Sequence, residues 1–275
     1  MKLPDYERVI YQHNPLIEVV CQLRFPTILK VSNQEPVDFQ EEVRFDYPLF
    51  EVNKSISIGM PAELLKLVQQ FVPPLTSQNI TYNFKSEDLK WQLSINKDFI
   101  AIATTKYERY EKFRAKFQEA VKIFERIYKP AFYSRVGLKY QDLIIRSNLN
   151  LQHKEWSELI PYHIASELHT PEFSNSIKTS IKNLEIVTDD GQIKFNHGLV
   201  IAQDPDNNVE EPAYFLDADF FSEGKIAKQD VWIILDKFKQ SAGRLFRWSI
   251  TDELHTAMEP KPIEADVDQL SKLYQ

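Results

Sequence analysis

The carboxylates of Asp217 and Asp219 are the side chains in this sequence whose spacing best suits metal-dependent chemistry. One residue separates them within a predicted strand, so both point to the same face of a sheet. Carboxylate oxygens are the ligands that Mg²⁺ prefers. The pair makes a metal-dependent hydrolase one hypothesis for this chain. A second acidic pair, in Asp189-Asp190-Gly191, is instead typical of a tight turn.

Other residues with catalytic potential form no recognisable constellation. The six histidines lack the His-Glu-x-x-His spacing of a zinc site, and the sequence has no Gly-x-Ser-x-Gly element. With only 6 glycines it also lacks a glycine-rich phosphate loop. Cys21 lies in a predicted strand, where we expect it to pack as a small apolar residue. We therefore assign no catalytic residue and no cofactor.

Basic residues concentrate in two segments of a chain whose net charge is −7. Residues 106–129 contain eight basic and four acidic side chains, and residues 228–248 contain five and two. Lysines and arginines interleaved with tyrosines suit phosphates and stacked bases. The candidate binding residues of these segments are Arg109, Lys112, Lys116, Arg244 and Arg247.

A solvated helix face is the alternative explanation of the same charges. Glu108 with Lys112 and Glu125 with Lys129 have the i, i+4 spacing of ion pairs on a helix surface. These faces are also suited to meeting acidic surface on the protein itself or on a protein partner. The sequence leaves these interpretations open.

A third set of candidates belongs to the polar face of the first predicted strand. Residues 16–25 alternate so that Glu18 and Arg24 share one face and the apolar residues share the other. This polar face is expected to be wet or to line a groove, together with Arg135 and Lys139 of a strand predicted at 132–146.

The predicted elements that position these residues occur in the same order twice along the chain. Strands are predicted at 80–85, 89–95 and 99–105, followed by an amphipathic helix at 107–128. Strands are again predicted at 183–188, 192–202 and 213–221, before a second long helix. This pattern predicts an α+β fold of two βββα-like halves with antiparallel sheets and one long amphipathic helix packed on each. Duplication and coincidence both remain open.

The predicted domain organisation follows from these halves. We expect an N-terminal half at 1–146, a connector at 147–178, a C-terminal half at 179–260 and an acidic tail at 261–275, in one compact unit. A helix is expected after Pro61, ending before Pro73, and a loop at 204–208.

Composition indicates a cytoplasmic protein. A single cysteine excludes an internal disulfide, and the N-terminus lacks the apolar core of a signal peptide. No stretch approaches about 20 apolar residues, so we expect no membrane span. We also expect a homodimer, because the edges of open sheets need cover.

Three segments resemble a known family. Residues 14–25 (NPLIEVVCQLRF), 135–140 (RVGLKY) and 246–254 (FRWSITDEL) are similar to a sporadically distributed family of bacterial proteins of unknown function and about this length. The resemblance covers nearly the whole chain but carries no activity or site residue to transfer. Its patchy distribution implies, by analogy, defence-related or mobile gene neighbourhoods.

The leading functional hypothesis is a non-catalytic cytoplasmic binding or assembly protein with a protein partner. An accessory or antitoxin-like role in a bacterial defence system would fit it. The alternatives are nucleic-acid or nucleotide binding through the basic long helices, and the metal-dependent hydrolase.

Overall fold

Alternating apolar residues build one antiparallel sheet of nine strands. The structure, a computed structural model, describes residues 3–53, 80–203 and 210–262. Within them, eleven strands form two antiparallel sheets, of nine and two strands. The predicted α+β fold of two βββα-like halves is wrong: the described chain is mostly β, and strands from both predicted halves hydrogen-bond within one sheet.

The strands are β1 (Val9–Tyr11), β2 (Leu16–Arg24), β3 (Leu49–Asn53), β4 (Thr81–Lys85), β5 (Trp91–Ile95), β6 (Phe99–Thr104), β7 (Tyr133–Ile145), β8 (Ser180–Thr188), β9 (Gly191–Gln203), β10 (Glu210–Ile226) and β11 (Pro260–Pro262). The helices are α1 (Leu29–Asn33), α2 (Val37–Val43), α3 (Tyr110–Tyr128), α4 (Trp156–Leu159), α5 (Val231–Trp248) and α6 (Asp252–Ala257).

Apart from β3 at one edge, the order of strands in the large sheet is symmetric about the β2–β7 pair. It runs β3-β4-β5-β6-β2-β7-β10-β9-β8, so β2 and β7 pair in the middle. From each central strand the chain passes through a connector into a meander, β4-β5-β6 or β8-β9-β10, and then into α3 or α5. Each run of central strand, connector, meander and long helix is here called a repeat. Residues 147–178 connect β7 to β8 within the second repeat, and β7 pairs directly with β10 of that repeat.

Both long helices lie side by side on one face of the sheet, here called the helix face. Their apolar residues recur every three or four positions and form buried stripes. On α3 the buried side chains are Tyr110, Phe113, Phe117, Ala120, Val121, Phe124 and Tyr128. On α5 they are Val231, Leu235, Phe238, Ala242 and Leu245. The helices contact each other through the rings of Phe117 and Trp232, 6.2 Å apart, and an Arg114–Asp236 ion pair of 3.2 Å.

The other face of the sheet, the far face, carries the polar side chains of its central strands. In β2, Val19, Cys21 and Leu23 point into the core under the helices, so their alternating neighbours point away. Pairing sets Glu18 opposite Gln141 and Arg24 opposite Arg135. The far face is thus polar along part of β2, β7 and β10, while Val200, Ala213 and Phe215 form a buried apolar cluster separate from the core under the helices.

The two-stranded sheet holds the N-terminal segment, residues 3–11, against α5. Val9 pairs with Pro262 and Tyr11 with Pro260. The Tyr11 ring meets Phe246 edge to face, with centroids 5.6 Å apart, and its hydroxyl lies 2.8 Å from Nδ1 of His255. This small sheet places the N-terminal segment beside the central strands.

Locally encoded elements lie where the sequence predicts them. The strands expected at 16–25 and 132–146 correspond to β2 and β7, and α3 lies within the helix expected at 107–128. The turn at Asp189-Asp190-Gly191 joins β8 to β9. Strands β1, β3 and β11 were not expected.

Three expectations fall outside the described residues: the helix after Pro61, the loop at 204–208 and positions 263–275 of the acidic tail. In residues 3–53, 80–203 and 210–262, no helix combines the length and apolar character that crossing a bilayer requires.

Candidate functional site

A cavity of about 450 Å³ lies on the helix face of the sheet. Helix α5, the central strands β7 and β10, and the N-terminal segment surround it, and residues 107–110 close a further side. Its volume lies in the range of small-molecule sites. The cavity therefore marks the candidate functional site.

Aromatic rings form much of its wall, contributed by Tyr6, Tyr11, Tyr107, Tyr110, Tyr140, Phe195 and Phe246. The rings of Tyr107 and Tyr140 meet edge to face with centroids 5.8 Å apart, and their hydroxyl oxygens lie 3.3 Å apart. Burial raises the pKa of Tyr107 to about 12 and that of Tyr140 well above its ordinary value. Both phenols therefore stay neutral and can donate a hydrogen bond.

Asp142 places a carboxyl in this apolar setting. Its cross-strand neighbours are Leu16 of β2 and Leu216 of β10. The residue is 6% exposed, and no donor among the described residues lies within hydrogen-bonding distance of its carboxyl. Burial, reinforced by the charge of Asp217, raises the pKa of Asp142 to about 8. Its carboxyl is therefore mainly protonated at pH 7.

Lys239 of α5 lines another part of the cavity. Its side chain is half-buried, with Nζ 5.9 Å from the centre of the Tyr110 ring. Among the residues that the structure describes, no carboxylate lies within 4.0 Å of this ammonium. Burial, and then the charge of Arg8, lower the pKa of Lys239 to about 8.

Two arginines near Lys239 share one carboxylate. Glu111 accepts from Arg8 Nη2 at 2.6 Å and from Arg109 Nε at 3.2 Å. Although burial opposes its ionisation, these hydrogen bonds hold the pKa of Glu111 at about 2. Three cations, Arg8, Arg109 and Lys239, thus lie around Glu111, and Asp236 is a second acid that acts on Lys239.

Two further arginines of α5 line the cavity with partners of their own. Arg244 donates to Asp5 at 2.6 Å. Arg247 bonds Asp252 and the carbonyl of Ile250, and its guanidinium lies 5.2 Å from the ring centre of Tyr6. Both residues fix the N-terminal segment and the end of α5, so we regard them as framework for the cavity.

The carboxyl and the ammonium occupy separate electrostatic surroundings. The charges that perturb Lys239 are those of Arg8, Glu111 and Asp236. Besides burial, the charge that raises the pKa of Asp142 is that of Asp217, on the far face. Because neither group perturbs the other, Asp142 and Lys239 do not form an ion pair. The part of the cavity lined by Asp142 is here called its acidic end, and the part lined by Lys239 its basic end.

The sequence candidates divide among three surfaces. Arg109, Arg244 and Arg247 line the cavity. Lys112 is paired with Glu108, the i, i+4 pair expected of a solvated helix face, and Lys116 lies over the Trp91 ring at 5.3 Å. These last two do not line the cavity.

Arg24, Arg135 and Lys139 lie on the far face. Arg24 donates to Gln22 at 2.9 Å, and burial followed by the charge of Arg135 lowers the pKa of Arg24. Arg135 extends over Gly137: a Cβ at that glycine would lie 2.3 Å from Arg135 Nη1. The missing side chain of Gly137 lets this guanidinium reach Asp219, 2.7 Å away.

Asp217 and Asp219 share the far face, as their spacing predicts, but each carboxylate already has a cation. Lys139 Nζ lies 3.1 Å from Asp217, and Asn196 donates to the same carboxylate at 3.3 Å. Arg135 pairs with Asp219. No group of three or more His, Cys, Asp or Glu side chains in the described ranges is arranged to hold a metal. We therefore base no metal site on this pair.

Sequence reasoning missed Asp142 and Lys239. A signal for Asp142 was present: in the strand predicted at 132–146 it shares the parity of Leu138, Tyr140 and Ile144, so an acid interrupts an apolar face. Lys239 carried no comparable signal, because the sequence does not distinguish it from Lys237, two positions away, which is exposed and pairs with Asp190 at 2.7 Å.

No protein-family model matches the chain, and none of the curated proteins is significantly similar to it.

Proposed function

We propose that this protein binds a small organic molecule in the cavity between α5 and the centre of the sheet. The observation that carries the proposal is Asp142, a residue that is only 6% exposed, whose carboxyl takes part in none of the hydrogen bonds among the described residues, and which lines a cavity of about 450 Å³. A ligand in the cavity would supply a hydrogen-bond partner for this carboxyl.

Binding fits the lining residues better than turnover. Asp142 and Lys239 do not perturb each other, so they do not form a paired acid and base. The hydroxyl of Ser249 donates to the Leu245 carbonyl at 2.7 Å and is not activated by a neighbouring base. Cys21 is buried in the core, and burial raises the pKa of its thiol well above the ordinary value.

This proposal refines the hypothesis of a non-catalytic cytoplasmic binding protein. Defence-related assembly with a protein partner and a homodimer remain predictions, which affinity purification and light scattering address. Binding of nucleic acid along the helices is not favoured here, because Lys112, Arg126 and Lys237 pair with acidic side chains.

Gly243 provides the test. It lines the cavity from α5, and a Cβ built there meets no atom within 4 Å. Gly243→Trp should obstruct the cavity without displacing backbone. Gly243→Ala is the matched control, because it leaves the space open and removes the cost of a helical glycine, about 1 kcal/mol.

The experiment is a thermal-shift screen of a chemically diverse small-molecule library, with hits quantified by calorimetry. We expect hits that bind the wild type and G243A but lose affinity at least about tenfold in G243W. The proposal fails if the library yields no hit, or if hits bind G243W as tightly as G243A.

A further inference from the structure

The acidic end of the cavity has the features of a receptor for an organic cation. Asp142 is buried beside aromatic rings, and its charge acts on the phenol of Tyr11. An ammonium entering this end would favour the ionised form of Asp142 and pair with its carboxylate. It would also lie close to tyrosine rings, whose faces attract cations.

The basic end has the features of a receptor for an anion. Lys239 has no carboxylate partner among the described residues, and Glu111 is already engaged by two arginines. Asp236, the other acid near Lys239, accepts from Tyr110 at 2.9 Å and pairs with Arg114 at 3.2 Å. The ammonium of Lys239 is therefore available to an incoming carboxylate or phosphate.

Much of the remaining wall is aromatic. Tyr107 and Tyr140 contribute a pair of packed rings, with Phe195 and Phe246 also lining the space. Such a wall favours an apolar or aromatic body over a sugar or a hydrated ion.

We propose that the ligand is a zwitterion: an ammonium group that binds Asp142, an anionic group that binds Lys239, and an apolar body between them. This inference rests on the proposed function, since it names the ligand class of the same cavity. The two charges on one molecule would satisfy both unpaired groups at once.

Three probes with one skeleton test it by calorimetry at pH 7.5: para-(aminomethyl)phenylacetate, the zwitterion; para-methylbenzylamine, the cation; and para-methylphenylacetate, the anion. We expect the zwitterion to bind at least about tenfold more tightly than either singly charged probe. Binding of all three with equal affinity would overturn the inference.

Two variants test which charged group of the ligand binds at each end of the cavity. Asp142→Asn should weaken the zwitterion and the amine at least about tenfold and leave the anion unchanged. Lys239→Met should weaken the zwitterion and the anion and leave the amine unchanged. The matched controls are Glu18→Gln, a buried acid on the far face, and Lys237→Met, outside the cavity on the same helix. Neither control should alter any affinity.

The outcomes separate this inference from the proposed function. If none of the three probes binds at about 10 mM, or if D142N leaves amine binding intact, the zwitterion assignment is wrong. The proposed function would still stand if screening hits bind G243A and not G243W. It falls only when that comparison fails.

Discussion

Asp142 and Asp217 are carboxyls buried on opposite faces of one sheet, 6% and 4% exposed. Asp217 has Lys139 and Asn196 as partners. Asp142 has none among the described residues, and its cross-strand neighbours are leucines. The same residue type is thus part of the framework on the far face and a candidate ligand-binding group in the cavity.

The protonation of Asp142 makes stability depend on pH. Burial raises its pKa from 3.8 to about 8, so between these values the folded state keeps a proton that the unfolded state has lost. Stability therefore falls as pH rises through this window, by up to about 1.4 kcal/mol per unit. Asp142→Asn removes this slope, so the melting temperature of D142N should exceed that of the wild type at pH 8 by more than at pH 5.

Calorimetric melting curves at both pH values check this. The control is Glu18→Gln, whose carboxyl has a pKa raised to about 7, chiefly by burial. That variant should lose only the part of the slope between the ordinary pKa of Glu18 and about pH 7. Equal differences between D142N and the wild type at pH 5 and pH 8 would contradict the account.

The Lys139–Asp217 pair predicts strong coupling. Lys139→Met leaves a buried carboxyl with one partner, Asn196, and should lower the free energy of unfolding by about 3 kcal/mol. Adding Asp217→Asn removes the buried acid and should recover most of that loss. Urea unfolding of the two single variants and the double variant measures the coupling. Lys194→Met, which removes a more exposed pair with Glu185, should change little.

At the scale of elements, the pairing of β8 with β9 depends on Gly198. A Cβ at this position would lie 1.7 Å from the backbone oxygen of Ser180 in β8. Gly198→Ala should therefore separate the strands locally and destabilise the protein by about 2–3 kcal/mol. Gly224→Ala is the control, because nothing lies within 4 Å of its Cβ, and it should cost about 1 kcal/mol from its φ of 125° alone.

Hydrogen exchange locates the effect of G198A. Amides of β8 should lose protection in this variant while those of β2 and β7 keep it. Unchanged protection of β8, or a destabilisation equal to that of G224A, would show that the close approach at Gly198 is unimportant.

The sequence predicts these elements unequally, for a physical reason. The stripe of α3 is encoded by Phe113, Phe117 and Phe124 within one segment, so its position could be read locally. The pairing of β2 with β6 and β7 joins residues such as Val19, Thr104 and Tyr140, which no local pattern connects. The fold class was therefore predicted wrongly although many elements were located.

The candidate site was harder to predict than the elements. Arg109, Arg244 and Arg247 were singled out for their charge and do line the cavity. The two groups left without partners, Asp142 and Lys239, depend on how α5 and the N-terminal segment lie against β7. That arrangement is a property of the tertiary structure. The sequence indicates it only through Asp142, an acid on the apolar face of its strand.

At the scale of the whole molecule, one sheet runs through both repeats. Strand β7 pairs with β2 on one side and with β10 on the other. Cutting the chain after residue 146 would leave β7 without β10. We therefore expect the full chain to unfold in a single cooperative transition.

Urea titration followed by both circular dichroism and tryptophan fluorescence tests this expectation. The two transitions should coincide for the full chain, and the fragment 1–146 should show no cooperative transition of its own. Two separate transitions, or a stably folded fragment, would show that the sheet is not a single cooperative unit. Recovery of the full-length signal on mixing fragment 1–146 with the remainder of the chain would support the shared sheet.

The central place of β2 has a consequence for synthesis. In the order of translation β2 precedes both of its partners, β6 and β7, so the hydrogen bonds of Val19 can form only once Thr104 and Tyr140 have been synthesised. Until then, the apolar side of β2, with Cys21 and Leu23, is exposed on the nascent chain. Translation speed and chaperone binding to the nascent chain should therefore affect the yield of this protein more than the yield of a protein in which each strand pairs with the next strand in sequence.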